Sequence, residues 1–493
     1  MEQILVSKID EVYLRISTDT GIEKELSEFF KFRVPGFQFM PRYKMRVWDG
    51  YIRLYDSYHQ RLYVGLLPYL KQFCKDRDYQ LITDHTITPN TTFTELDAAN
   101  FFQTLNLPFQ SHDYQNRAIT YGITNNRSLL VSPTGSGKSL IIYGLTRYYN
   151  KKTLIIVPTI SLVSQMYSDF EDYAKQDPTF DVAKNVHKIY QGQEKVTNKQ
   201  IVISTWQSIF KLPKKYFQEF DVVIGDEAHL IKAKSLTNIM EMLVNAKYRF
   251  GTTGTLDGTV TNKLVLEGLF GKCYQVTTTK KLMDAEKLAE LRIECVVLKY
   301  PDSVCKAKKD YRYHDEVQYI IGHTPRNVFI RNLAISMKSN CLVTFQFVDS
   351  HGKVLYQMIK DKLAKTDPNR KVFFVAGETD GEYREEIRKI TEKEKNAIIV
   401  ASVGVFSTGI NIRNLDNIIF TSPSKSRIRT LQSIGRVLRK GDNQSYATLY
   451  DIADDLSWKS HKNFALEHFL ERIKLYNSEK FNYKMHKIEL PSE

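Results

Sequence analysis

Apolar residues in this chain fall into short, nearly unbroken runs. LLVS (129–132), TLIIVP (153–158), IVIST (201–205), DVVIG (221–225) and YRFGTT (248–253) are rich in β-branched residues, with segments of helical pattern between them. Runs of this kind suit strands buried on both faces, and their alternation with helices predicts a parallel sheet covered by helices. The pattern restarts with CLVTF (341–345), KVFFV (371–375), NAIIVAS (396–402), NIIFTS (417–422) and SYATLYDI (445–452). Two α/β units in tandem are expected. Near the end, KNFALEHFLERIKLY (462–476) puts Ala465, Phe469, Ile473 and Tyr476 on one helical face, which predicts a packing helix.

The first 90 or so residues have another texture, rich in aromatics, and the polar stretch TDHTITPNTTFTELD (83–97) reads as a linker. The expected division is a small α+β domain over 1–90, α/β units over 91–285 and 286–455, and a helical segment over 456–493. Residues 1–90 are read as a module without which the motor still runs.

Charge narrows the class of partner. The chain has 493 residues and a formal net charge of +14, which points to a polyanion, nucleic acid before membrane. No apolar run approaches the length of a membrane span. The five cysteines are scattered and form no CxxC pair, so they read as reduced thiols in a cytoplasmic setting. The opening MEQILVSKIDEV lacks the apolar block of a signal peptide.

Phosphate chemistry is concentrated in SPTGSGKS, Ser132 to Ser139, between a strand and a helix. Gly135 and Gly137 allow close approach of backbone N–H groups to phosphate, with Thr134 and Ser136 in the same loop. Lys138 suits the β- and γ-phosphates, and the Ser139 hydroxyl suits Mg²⁺. Ser132 stands where such loops usually carry their first glycine. DEAH, Asp226 to His229, ends the strand DVVIG. Asp226 is the candidate Mg²⁺ carboxylate and Glu227 the candidate for polarising an attacking water. His229 reads either as a satisfied core histidine or as a link between nucleotide and motion.

In order along residues 110 to 440, these segments resemble the motifs of superfamily-two helicases. HDYQNRAI carries Gln115, which in that superfamily reads adenine. VPTISLVSQ (157–165), STWQSI (204–209) with Thr205 and Gln207, GTTGT (251–255), VTFQFVDSH (343–351), SVGVFSTGINI (402–412) with Gly409, and QSIGRVLR with Gln432 complete the series. The resemblance implies two tandem RecA-like parallel-sheet domains that clamp ATP between them. It assigns Thr205 and Gln207 to the nucleic-acid backbone, and Arg436 and Arg439 to the γ-phosphate as arginine fingers. QxxGRxxR with GTTGT is more similar to DNA-remodelling helicases of recombination and restriction, and most of all to those of T-even bacteriophages. That likeness implies unwinding and branch migration of forks, D-loops, R-loops and Holliday junctions in recombination, replication and repair, with travel from 3′ to 5′. It also implies strand annealing, RNA–DNA hybrids as substrates, single-strand-binding or recombination proteins as partners, and work in the host cytoplasm.

The N-terminal region adds an independent signal. RYKMRVWDGYIRLYD (42–56) contains Asp49-Gly50 between alternating residues, which predicts a two-residue hairpin. Its pairs would be Trp48 with Tyr51, Arg46 with Arg53 and Lys44 with Tyr55. One face would then gather Lys44, Arg46, Trp48 and Arg53, suited to DNA phosphate and base stacking. Residues 31–61 hold seven Lys or Arg against two Asp, so the positive charge is concentrated there. Two alternatives stay open: a duplex DNA translocase without strand separation, and an annealing module with a vestigial ATPase. The intact Lys138, Asp226, Glu227, Arg436 and Arg439 weigh against the second.

Overall fold

Seven short strands open the chain: β1 (Gln3–Lys8), β2 (Tyr13–Ser17), β3 (Lys31–Arg33), β4 (Tyr51–Arg53), β5 (Tyr55–Asp56), β6 (Arg61–Tyr63) and β7 (Gln80–Thr83). The structure is a computed structural model that describes residues 2–84, 92–190, 192–231, 234–256, 259–377, 379, 381–408, 415–422 and 446–491. Five of the strands form a mixed sheet in the order β5-β6-β2-β1-β7, with β1 and β7 parallel. Along β1, Ile4 and Val6 are buried while Gln3 and Leu5 are exposed, the period of two of a half-covered strand. The covering helices, Thr20–Phe29 and Leu67–Lys75, bury Ile22 and Leu26 and Leu70 and Phe73 against it.

The predicted hairpin is not formed. β4 pairs antiparallel with β3, setting Lys31 opposite Arg53 and Arg33 opposite Tyr51. Residues Pro41–Lys44 are instead a short helix, and Pro41 occupies its first turn, where a missing N–H and a fixed φ are favourable. Asp49-Gly50 does turn the chain: Gly50 has φ 84°, and the Asp49 carboxylate accepts the Tyr51 N–H at 3.1 Å. The strand leaving that turn runs back along residues 31–33, and Val34 N–H donates to the Gly50 carbonyl at 2.9 Å. Arg46 and Arg53 are therefore not cross-strand partners.

The apolar runs of the middle region form the expected parallel sheet. Its strands are β8 (Arg127–Val131), β9 (Thr153–Val157), β10 (Val186–Ile189), β11 (Ile201–Thr205), β12 (Val222–Asp226), β13 (Tyr248–Thr253) and β14 (Cys273–Gln275), in the order β10-β11-β9-β12-β13-β8-β14. β9, β11 and β12 are buried at every position. The N-terminal sheet and this one belong to one compact unit, Met1–Thr277. Leu264 of the helix Val260–Phe270 sits in the N-terminal core. A β-carbon added to Gly65 would stand 1.9 Å from the Glu267 carbonyl oxygen, so the two backbones meet directly. Tyr13 and Tyr63 both donate to Glu241, and Tyr69 donates to Glu267.

The second unit, Thr278–Glu493, holds another seven-stranded parallel sheet. Its strands are β15 (Glu290–Lys299), β16 (Cys341–Phe345), β17 (Val372–Val375), β18 (Ile398–Ser402), β19 (Asn417–Phe420), β20 (Tyr446–Asp455) and β21 (Tyr483–Glu489), in the order β17-β18-β16-β19-β20-β15-β21. β21 brings the C-terminal segment into the sheet beside β15. The predicted packing helix is Phe464–Ser478; it buries Ala465, Phe469 and Tyr476, and also Arg472, which is paired with Asp451 at 2.7 Å. The fold is thus α/β, two RecA-like parallel sheets with a small α+β domain ahead of them. Among the described residues no helix is long and apolar enough to cross a membrane.

Candidate functional site

β8 delivers the chain into Ser132–Ser139, and the helix Lys138–Tyr149 carries it away. Gly135 and Gly137 sit at φ 84° and 75°, where a side chain is strained, so the two glycines set the loop's curvature. Helix N-terminal N–H groups then lie free of intrahelical partners, as an anion requires. Ser132, the departure from the usual glycine, is used inside the loop. The Ser136 hydroxyl donates to the Pro133 carbonyl at 2.7 Å, so the proton in the 2.6 Å contact between Ser132 and Ser136 belongs to Ser132. Lys138 Nζ donates to the Ser132 carbonyl at 3.3 Å. Gln115 is buried against the loop: its amide donates to the Ser136 carbonyl at 3.1 Å, and its oxygen accepts the His112 N–H at 2.8 Å.

The second half of the site lies at the end of β12. Asp226 is buried, accepts the Thr252 hydroxyl at 2.7 Å, and has its carboxyl pushed up to about 6. Burial is the main cause, the Glu227 charge adds to it, and Lys138 opposes both. Glu227 takes the left-handed conformation at φ 49°. His229 Nδ1 lies 2.9 Å from the Thr253 hydroxyl and 3.3 Å from Glu227 Oε2. The Thr253 proton goes to the Thr255 carbonyl, so Nδ1 is the protonated nitrogen of His229. A β-carbon on Gly254 would stand 3.7 Å from both Lys138 Nζ and Thr134 Oγ1. GTTGT thereby joins the phosphate loop to DEAH, a role its sequence alone did not assign.

A glycine-rich cradle, one lysine and two adjacent carboxylates suit a nucleoside triphosphate with a divalent cation. The donor set is the sign of fit: Asp226 is buried beside Glu227, and a cation there would offset both the burial and the repulsion between the two acids. Among the described residues no three His, Cys, Asp or Glu converge as a metal cage. Ser139 and Asp226 are the oxygen donors that could face a cation bound with phosphate and water. The Ser139 hydroxyl meets the Tyr173 hydroxyl at 2.7 Å, a contact 34 residues away in sequence that no motif announces.

The other expected site residues are dispersed. Thr205 ends β11, is buried and shares a 2.8 Å hydrogen bond with Ser208, whereas Gln207 is exposed on the next turn. Lys44, Arg46 and Trp48 line an open cleft of about 640 Å³ with Gln38, Tyr43, Val47 and Asp49. The Trp48 indole N–H donates to the Tyr51 carbonyl at 2.8 Å, and Arg46 has φ 56°. Arg53 is ion-paired with Asp49, whose carboxyl that hydrogen bond holds low, at about 2. Phe39, Met45 and Val47 stand exposed beside these residues, which the charge pattern did not single out. Gly409, Gln432, Arg436 and Arg439 lie outside the described residues.

Comparison with known proteins gives three family matches: the N-terminal region of the DNA helicase UvsW over residues 3–84, the res subunit of type III restriction enzymes over 108–258, and the helicase conserved C-terminal domain over 326–441. The ATP-dependent DNA helicase uvsW of Enterobacteria phage T4 is 36% identical over 97% of this chain and 98% of its own. The DNA 3′-5′ translocase XPB2 of Sulfurisphaera tokodaii is 24% identical over 68% of this chain and 79% of its own. The crystal structure of T4 UvsW aligns with a TM-score of 0.51 at 35% identity, over 99% of this chain and all of that one. A fragment of a putative HsdR subunit of a type I restriction enzyme from Vibrio vulnificus aligns with a TM-score of 0.58 at 16% identity, over 89% of this chain and 76% of that one, a likeness of fold.

Proposed function

The chain belongs to the UvsW family and is an ATP-dependent DNA helicase, and from that premise we propose that it remodels branched DNA, unwinding and branch-migrating forks, D-loops, R-loops and four-way junctions. The observation that carries this reading is the N-terminal module. It matches the UvsW N-terminal family, packs its core onto the motor through Leu264, and presents Lys44, Arg46 and Trp48 around an open cleft. A basic cleft with exposed apolar neighbours suits backbone phosphate together with unstacked bases, which a branch point offers and a plain duplex does not.

Within the motor, Lys138 is assigned to the β- and γ-phosphates, Ser139 and Asp226 to Mg²⁺, and Glu227 to orienting the attacking water. When bound, Mg²⁺ supplies positive charge to the phosphate oxygens. Gln115 keeps one amide hydrogen for adenine beyond its bond to Ser136. Thr205 is assigned to the nucleic-acid backbone through its main chain, since its hydroxyl is engaged, and Gln207 through its side chain. Arg436 and Arg439 are assigned to γ-phosphate charge. RNA–DNA hybrids and single-strand-binding or recombination proteins remain proposed partners.

A second reading, translocation on duplex without strand separation, is favoured by the similarity to the DNA 3′-5′ translocase XPB2. Unwinding measured over forks, four-way junctions, R-loops and RNA duplexes, beside displacement of a triplex-forming strand, separates the two. The proposal expects fork and junction products. Triplex displacement with intact forks and junctions would establish the second reading instead.

A further inference from the structure

We propose that Tyr173 is a positioning residue for nucleotide binding, holding the Ser139 hydroxyl so that its oxygen is offered to the cation that accompanies the phosphates. The contact is 2.7 Å between two hydroxyls, at the end of the helix Ile160–Ala174 and the start of the helix Lys138–Tyr149. The phenol ring is itself fixed. Tyr143, fully buried, packs against it at 5.5 Å and 60°, and Phe109 meets it edge-on at 5.7 Å. Arg147 anchors Tyr143 through its hydroxyl at 2.6 Å, and Asp177 in turn holds Arg147 at 2.6 Å. A ring held this way leaves its hydroxyl one place to be.

The chemistry asks for such a partner. A serine oxygen has one proton and two lone pairs. Once a lone pair serves a cation, the proton needs an acceptor directed elsewhere, and a serine without one spends rotational freedom to reach the liganding rotamer. A tyrosine hydroxyl is neutral near pH 7 and has lone pairs, so at 2.7 Å it can accept from Ser139. The helix bearing Tyr173 is capped by Thr159 and begins at Ile160, inside the segment VPTISLVSQ.

This inference rests on the assignment of Ser139 to Mg²⁺, and its test separates the two. Affinity for a fluorescent ADP analogue is titrated with Mg²⁺, and measured again in EDTA, for wild type, Tyr173→Phe, Ser139→Ala and the double variant. Loss of one net hydrogen bond predicts that Tyr173→Phe needs about three- to tenfold more Mg²⁺ for half-maximal tightening. Its affinity in EDTA stays that of wild type, and in the double variant the Tyr173 change adds nothing to Ser139→Ala. A normal Mg²⁺ titration for Tyr173→Phe with a shifted one for Ser139→Ala overturns the Tyr173 role alone. Equal weakening with and without Mg²⁺, or additive effects in the double variant, overturns it as well, by making Tyr173 merely structural. A normal titration for Ser139→Ala overturns both assignments.

Discussion

At Glu227 the backbone occupies the left-handed region, a conformation that costs an ordinary residue about 1 kcal/mol or more. The bend sets its carboxylate next to His229 and beyond the buried Asp226. Glu227→Gln keeps that shape and removes the charge proposed to orient water, so hydrolysis should fall to background while nucleotide still binds. Lys138→Ala removes the proposed phosphate contact, so both binding and hydrolysis should drop. Equilibrium binding beside steady-state turnover checks the pair, and undiminished turnover in Glu227→Gln refutes its role. A second residue-scale expectation concerns His351, which burial first and Arg326 second push down to about 3. The unfolded chain takes up the proton near 6.5 while the folded chain refuses it. The stability this contributes is complete above about pH 6.5 and is lost as pH falls toward 3, with a slope of about 1.4 kcal/mol per pH unit. His351→Gln should therefore lose less stability than wild type between pH 7.5 and 5 in urea unfolding; equal losses would count against a neutral buried imidazole. The local backbone of the candidate site was legible because its motifs dictate it: Gly135 and Gly137 for curvature, Asp226 at a strand end. Tyr173 was not, because a hydroxyl meeting Ser139 through tertiary packing leaves no spacing to read.

Elements differ in how openly the sequence shows them. β9, β11 and β12 are buried throughout, so their β-branched runs admit little else, and YRFGTT and CLVTF coincide with β13 and β16. In the two parallel sheets β10, β14, β15 and β21 escaped notice, as did β1, β2, β3, β6 and β7 of the N-terminal domain. β21 lies at a sheet edge with Lys484, Met485, His486 and Lys487 exposed, and it has no buried run to display. The segment 42–56 misled for another reason. Alternation there was compatible with a hairpin, but Pro41 opens a helix, and the strand after Gly50 found residues 31–33 as its partner. Its two arginines consequently play different parts. Arg46 lines the cleft, whereas Arg53 is already engaged by Asp49. Arg46→Ala should weaken junction binding and lower the log-log salt slope by about one unit if one phosphate contact is lost. Arg53→Ala should change the slope less. A salt titration of junction affinity decides, and a larger effect from Arg53 would mean that the ion pair does not persist on DNA.

Across the whole chain, a net charge of +14 accompanies a motor whose first unit includes the N-terminal module. A motor stripped of residues 1–90 would expose Leu264 and take from Glu241 and Glu267 the phenols of Tyr13, Tyr63 and Tyr69. Truncation thus confounds stability with DNA recognition, and point substitutions in the cleft isolate the latter. Glu241 and Glu267 lie on the helices Lys234–Met242 and Val260–Phe270, which follow DEAH and GTTGT. The module is therefore bonded to the elements that leave the proposed nucleotide site. The most direct test of branched-DNA remodelling is a competition in one reaction: a four-way junction and a linear partial duplex of equal length, at equal concentration, with ATP and Mg²⁺. Resolution of each substrate is followed together with phosphate release. The account predicts that the junction is resolved first, that resolution stops without ATP, and that Arg46→Ala erodes the preference while hydrolysis on single-stranded DNA persists. Phosphate release with the junction left intact, or both substrates processed at the same rate, would contradict it.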